Sequence, residues 1–189
     1  VTDRALPPVH PSAFVALAEV VAEQLAARGI AALVIGGFAL SVHNYTRATE
    51  DLDLGVLASP DLMVALSEAL TQLGLQVEYR APDAVDRLGG VIDVVDGHGA
   101  MVQIVNFDNP PAGGFPRAIR DALAADPAPI LGSTLRTIPL PQLVALKLYA
   151  GGENSLHDVK QLRLLNPDAD WPAILRLCRA YRLDCRGLL

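Results

Sequence analysis

Two aspartates spaced two residues apart, Asp51 and Asp53, are the side chains of this sequence best arranged to do chemistry. They lie in the stretch from Val34 to Val56, VIGGFALSVHNYTRATEDLDLGV, where they alternate with Leu52 and Leu54. On an extended strand such residues point the same way, with roughly 6 to 7 Å between their Cα atoms, so both carboxylates can converge on one hard cation or a pair of them. Magnesium is the ion expected, with manganese as its substitute. Upstream, the apolar run Ile30 to Ile35 stops at Gly36-Gly37, the pattern of a buried strand ending in a turn. Such a turn exposes backbone N–H groups, and glycine lets a phosphate approach the main chain closely.

Other ways of handling phosphate or activating a nucleophile are missing. The chain has neither a Gly-x-x-x-x-Gly-Lys-Ser/Thr loop nor a Gly-x-Gly-x-x-Gly turn, and it has no Gly-x-Ser-x-Gly elbow. Its four histidines, at 10, 43, 98 and 157, lack metal-ligand spacing. Cys178 and Cys185 read as thiols packed between helices, with neither zinc nor a disulfide inferred.

Taken together, a strand, Gly-Gly, a gap of 13 residues and Asp-Leu-Asp resemble the signature of the DNA polymerase β-like nucleotidyltransferase superfamily. Arg47 and Thr49 ahead of the aspartates, then Leu146-Lys147-Leu148 and Leu156-His157-Asp158-Val159, are similar to the small bacterial nucleotidyltransferases of the abortive-infection and toxin–antitoxin type. The likeness runs patchily from about 30 to 160. It implies a metal-dependent enzyme that moves a nucleoside monophosphate from an NTP to an acceptor hydroxyl on a tRNA, a protein or a small molecule. By that resemblance Asp51 and Asp53 hold Mg²⁺, Gly36, Gly37, Arg47 and Thr49 face the nucleotide, Lys147 meets its phosphates and Asp158 belongs to the wall of the site. It also implies a cognate antitoxin protein as a partner.

The sequence departs from that pattern in two places. The superfamily usually supplies a third acid from a later strand, and the strand expected at Met101 to Phe107 carries Gln103 at its centre. A neutral amide cannot take a proton from an attacking hydroxyl. Asp93 on the preceding strand is the candidate substitute, and a protein that binds a nucleotide or a partner without turnover is the alternative. Asn154-Ser155 stands where relatives commonly carry a Lys-Asp pair. Simpler roles exist for the cations: Arg47 pairing with Glu50, and Lys147 on the solvated edge of an amphipathic helix.

The elements that must position these groups follow from pattern. Phe14, Leu17, Val20, Val21 and Leu25 recur at helical spacing before Gly29. Phe38 to Tyr45 is a short helix after the glycine turn, and Thr49 to Val56 is a strand. Ser59-Pro60-Asp61 caps a helix ending at Gly74. Leu75 to Tyr79, Val91 to Val95 and Met101 to Phe107 are strands, the last two joined at Asp96-Gly97-His98-Gly99. Asn109 to Gly114 is a linker, Leu135 to Ile138 one more short strand, and helices follow at Pro116 to Ala125, from Pro141 to Gly151, near Ser155 and near Trp171. Trp171 and Tyr181 are core residues rather than stacking platforms, and Asp108 is a turn residue. The fold class is α/β (α+β), a mixed, partly antiparallel sheet of about five strands flanked by helices. Residues 1–108 form a nucleotidyltransferase-like core, and residues 109–189 a mostly helical part that completes the same compact unit.

Composition sets the outer bounds. The chain has 189 residues, 51% hydrophobic and 19% charged, which suits one folded unit. Residues 1–108 hold 5 Lys/Arg against 14 Asp/Glu, and residues 109–189 hold 10 against 7. The acidic first half suits a cation-dependent site and the mildly basic second half a phosphate-bearing partner, while the balance does not resemble that of a dedicated nucleic-acid binder. No apolar run approaches the ~18 to 20 residues of a membrane span, and Val1 to His10 does not read as a signal peptide, so a cytoplasmic protein is expected.

Overall fold

The computed structural model describes residues 11–185 and Gly187; the amino-terminal segment Val1 to His10 lies outside it. Thirteen elements follow in chain order. They are α1 (Pro11–Ala26), β1 (Ala32–Val34), α2 (Gly36–Val42), β2 (Leu52–Val56), α3 (Pro60–Gln72), β3 (Gln76–Arg80), β4 (Val91–Val95) and β5 (Met101–Asn106), then a 3₁₀ turn (Pro110–Ala112), α4 (Pro116–Ala124), α5 (Leu140–Ala150), α6 (Glu153–Leu165) and α7 (Trp171–Ala180).

The five strands form one mixed sheet in the order β1-β2-β5-β4-β3, with β2 and β5 parallel and the other pairs antiparallel. Leu52, Leu54 and Val56 of β2 and Val102 and Ile104 of β5 point to one face, where Phe14, Leu17, Val21 and Leu25 of α1 and Met63, Leu66 and Leu70 of α3 cover them. The other face carries Asp53 and Gly55. Over its β1-β2-β5 end, Leu33, Ile35, Val105 and Phe107 pack with Ile119 of α4, Val144 of α5, Val159 of α6 and Ile174 of α7. The helical carboxyl-terminal part therefore shares its core with the sheet. Gly55 makes this contact close, since a Cβ there would meet Ile119 and Ile35 at 3.1 Å.

Local signals act where the sequence places them. Ser59 caps α3 through its hydroxyl and Leu62 N–H, and Asp96 closes the β4–β5 turn by accepting from His98 and Ala100 N–H. Four expectations shift. Gly36 and Gly37 are the first residues of α2 rather than a free turn before it. β2 begins at Leu52, so Thr49 to Asp51 precede the strand. Leu135 to Ile138 adds no sixth strand, because β1 is only three residues long and offers Val34 alone: Val34 N–H donates to Arg136 O and Ile138 N–H to Val34 O. Asn109 to Gly114 is no loose linker, since the Asn109 side chain is buried and donates to the carbonyls of Asp83, Asp86 and Leu88.

Asn106, at the end of β5, ties these parts together. It is fully buried, donating to Ala58 O and Gly89 O and accepting from Ala58 N–H and Asp108 N–H. Replacing it with leucine keeps the branched side-chain skeleton, adds bulk in a fully buried position and strands four buried or half-buried backbone groups. Asn106→Leu is expected to cost about 2 to 4 kcal/mol in urea denaturation; a loss under about 0.5 kcal/mol contradicts this account of the joint.

Candidate active site at the Gly36–Asp53 corner

Chain geometry at the end of β1 explains both glycines. Gly36 has φ +60°, in the left-handed region, and a Cβ there would collide with Asp53 Oδ2. At Gly37 a Cβ would fall 2.8 Å from Cβ and Oγ1 of Thr49. Ile35 N–H donates to Asp53 O at 2.9 Å, and Gly37 N–H donates to the Asp53 carboxylate. The glycines thus admit the Asp53 side chain against the backbone, and one of the amides expected to face phosphate is turned to that carboxylate.

Asp51, just before β2, is oriented by Thr49, whose hydroxyl donates to Asp51 Oδ1 at 2.9 Å. Asp53 is largely withdrawn from water. Burial, then the negative charge of Asp51, push its pKa up to about 6, while Lys147, the Gly37 N–H and Arg47 pull it back. The pair is short of positive charge, and its donors are all carboxylate oxygens. That fits Mg²⁺, which takes one or two carboxylates and fills its other positions with water and substrate phosphates. Among the described residues no cluster of three acidic, histidine or cysteine side chains forms a metal cage.

The nearby cations share a buried anion. Asp158 on α6 is 1% exposed; Lys147 Nζ on α5 lies 2.7 Å from its Oδ2, and Arg47 Nε 3.2 Å from its Oδ1. Arg47 therefore pairs with Asp158 rather than Glu50, and the Lys147 side chain, 12% exposed, is not a solvated helix edge. A carboxylate buried this deeply needs such partners. It anchors both cations at the edge of the aspartate pair.

Gln103 stands directly beside Asp53 in the parallel β2–β5 register, and Asp93 is its partner on the far side. Gln103 Nε2 donates to Asp93 Oδ1 at 2.8 Å, while Arg80 pairs with Asp93 Oδ2 at 2.7 Å. Asp93 is thus held by two partners and lies two strands from Asp53, roughly 10 Å away by the ordinary strand spacing. Gln103, and not Asp93, is the residue next to Asp53 in the sheet.

Two clefts meet at this corner. A polar one of about 400 Å³ is lined by Gly36, Gly37, Arg47, Thr49, Glu50, Asp51, Asp53 and Lys147, which brings together every predicted site residue except the buried Asp158 behind them. A larger one of about 550 Å³ shares Gly36, Asp53 and Lys147 and runs on between Val105, Phe107, Leu143, Leu146, Tyr149 and the segment Val85 to Leu88. Sequence reasoning did not reach this second cleft. Besides Val105 on β5 and Phe107 just after it, its walls are a coil and the inner face of α5, where nothing in spacing marks the residues. Ser155, noted only as a departure, lines it too. His157 is not in either lining and sits edge-on to Tyr45, Tyr181 is buried in the core, and Trp171 packs against that core with Nε1 donating to Asn166 O. Cys178 and Cys185 are free thiols packed in the helical core, and burial pushes the Cys178 thiol up to about 12.

Comparison with solved structures places this arrangement in a known fold. No protein-family model matches the sequence, and no curated protein matches it. The antibiotic-resistance factor ANT(2'')-Ia superposes in its solution structure with a TM-score of 0.57 at 15% identity, covering 92% of this chain and 93% of its own. Its crystal structure with adenylyl-2''-tobramycin gives 0.54 at 15% identity, covering 89% and 96%. A nucleotidyltransferase-like antigen from Paracoccidioides brasiliensis gives 0.52 at 16% identity, covering 86% and 79%. At these identities the likeness is one of fold: the chain shares the fold of these structures.

The raised Asp53 pKa sets a pH dependence. Its folded value of about 6 lies above the reference value of 3.8, so the folded state holds the proton more tightly and stability falls as pH rises between them. Asp53→Asn is expected to stabilise the metal-free protein at pH 7 by about 2 kcal/mol, with the gain vanishing near pH 4. Urea titrations at the two pH values check this, and a destabilised variant at pH 7 contradicts it.

Proposed function

We propose that this chain is a metal-dependent nucleotidyltransferase that moves a nucleoside monophosphate from an NTP to an acceptor. The observation that carries the proposal is the convergence of Gly36, Gly37, Arg47, Thr49, Asp51, Asp53 and Lys147 on one polar cleft. In this reading Asp51 and Asp53 hold Mg²⁺ on the triphosphate, where it neutralises charge and favours in-line displacement at the α-phosphorus.

The protein side of the mechanism is positioning and charge. Lys147 and Arg47, held by Asp158, face the phosphates and stabilise the negative charge that gathers on the departing pyrophosphate. The glycine corner lets the phosphates come up to the backbone. The nucleoside lies in the apolar cleft, which opens on Asp53 and Lys147 and offers aliphatic and aromatic walls to a planar ring. The acceptor then enters beside Gln103. Deprotonation of a hydroxyl acceptor has no carboxylate base at that position, so a tRNA end, a protein hydroxyl or a small-molecule hydroxyl would lose its proton to solvent. A toxin-like role with a cognate antitoxin rests on the sequence resemblance alone.

Gln103 also favours a second reading, a nucleotide-binding protein without turnover. The two separate by labelling: the protein is incubated with each α-labelled NTP, Mg²⁺ or Mn²⁺, and total RNA or lysate, alongside an Asp51→Ala/Asp53→Ala control. Transfer of label by wild type, lost in the control, is the expected result. Nucleotide binding with no transfer from any NTP overturns the enzymatic reading and leaves the second.

A further inference from the structure

Cys178 and Cys185 stand seven residues apart, a separation that in a continuing helix would set them about 10 Å apart along the axis. The helix does not continue. α7 ends at Ala180 with Tyr181 as its cap, and Arg182 takes φ +60°, the left-handed conformation that favours glycine. Arg182 N–H then donates to Arg179 O at 2.9 Å and Leu183 N–H to Cys178 O at 3.0 Å, the paired bonds that reverse a chain at a helix end. Leu183 and Cys185 are thereby brought back against the same helical core that holds Cys178.

The two thiols meet there. Cys178 is fully buried and Cys185 half-buried. Their side chains are hydrogen-bonded to each other, and Cys185 Sγ also lies 3.8 Å from Leu183 O. Sulfurs already in contact have little distance to cover before an S–S bond of about 2.05 Å forms. Among the described residues no group of three His, Cys, Asp or Glu side chains forms a metal site, so the chemistry open to the pair is that of a dithiol. Two thiols that serve only to fill a core need neither mutual contact nor access to solvent. This pair has both, with the access at Cys185.

We infer that Cys178 and Cys185 form an oxidisable site, which a small-molecule disulfide converts to an intramolecular disulfide that fastens the doubled-back segment 182–185 to the end of α7. Cys185, the accessible thiol, attacks one sulfur of the oxidant as its thiolate, forming a mixed disulfide and releasing one small thiol. Cys178 then gives up its proton and attacks Cys185 Sγ, releasing the second. Two electrons pass from the protein sulfurs to the oxidant, and the two protons end on the two released thiols. Burial, and after it the Cys185 thiol, raise the pKa of Cys178, so the second step is the slower one. The fastened turn carries Tyr181, whose ring meets Phe115 edge-on at 5.4 Å, and Phe115 in turn stacks at 4.5 Å on Tyr149 in the wall of the apolar cleft. The inference does not depend on the nucleotidyltransferase reading.

The test is to incubate the folded full chain with oxidised glutathione, block remaining thiols with iodoacetamide, and read the intact mass without reductant, for wild type, Cys178→Ala and Cys185→Ala. Wild type is expected to lose the mass of two hydrogens and to take up neither glutathione nor the blocking group. Cys178→Ala is expected to stop at a glutathione adduct on Cys185, and Cys185→Ala to remain unmodified while folded. The same oxidation of wild type in urea, at a matched ratio of oxidised to reduced glutathione, is expected to close the ring less completely. Wild type that ends as a stable glutathione adduct, as a disulfide-linked dimer or with two blocked thiols overturns the inference, and so does ring closure that is equally complete in urea. Should a thermal melt show that either alanine variant is unfolded, the wild-type comparison with and without urea decides alone.

Discussion

Asp53 is a carboxylate pressed against the backbone of a glycine and largely shut off from water, with a second carboxylate, Asp51, close by. Much of the architecture near the site follows from accommodating it. The left-handed φ at Gly36 makes room for the side chain, Gly37 N–H bonds to it, and Lys147 and Arg47 stand near enough to lower its pKa. These measures leave it still raised to about 6, so the pair remains under-compensated. In the proposed function a divalent cation bearing phosphates would remove the deficit without adding another protein group.

The cations are held by the same logic in reverse. Asp158 is buried at 1% exposure, and Lys147 and Arg47 reach it from α5 and from the segment before β2 as its ion-pair partners. This arrangement ties the helical part of the chain to the sheet at the edge of the polar cleft. In the proposed function an incoming triphosphate would meet cations already placed, with their side-chain entropy largely spent on Asp158. On the β5 side of Asp53, Gln103 donates to Asp93, which Arg80 also pairs.

Sequence disclosed the sheet and the polar cleft because both depend on local pattern. Alternation in Leu52 to Val56 and Met101 to Phe107 follows from one buried face, and the glycines and aspartates are recognisable by type and spacing. The Asp158 contact with Arg47 spans 111 residues, so spacing could not reveal it, and Glu50 was the nearer anion in the chain. Asn109 looked like part of a proline- and glycine-rich linker, whereas its amide organises a coil more than 20 residues earlier. Arg87 and Tyr149 have no motif at all; the guanidinium lies over the ring only because that coil folds over α5. Leu135 to Ile138 has strand-like composition, but the short β1 beside it gives only Val34 to pair with.

The central claim is that Asp51 and Asp53 bind a nucleoside triphosphate through a shared divalent cation. Calorimetric titration of the NTPs with and without Mg²⁺, on wild type and on Asp51→Ala/Asp53→Ala, tests it most directly. The account predicts that Mg²⁺ tightens binding of at least one NTP to wild type by about tenfold or more, equivalent to about 1.4 kcal/mol, and has no such effect on the variant. Binding that is indifferent to Mg²⁺ in wild type, or equally dependent on it in the variant, contradicts it.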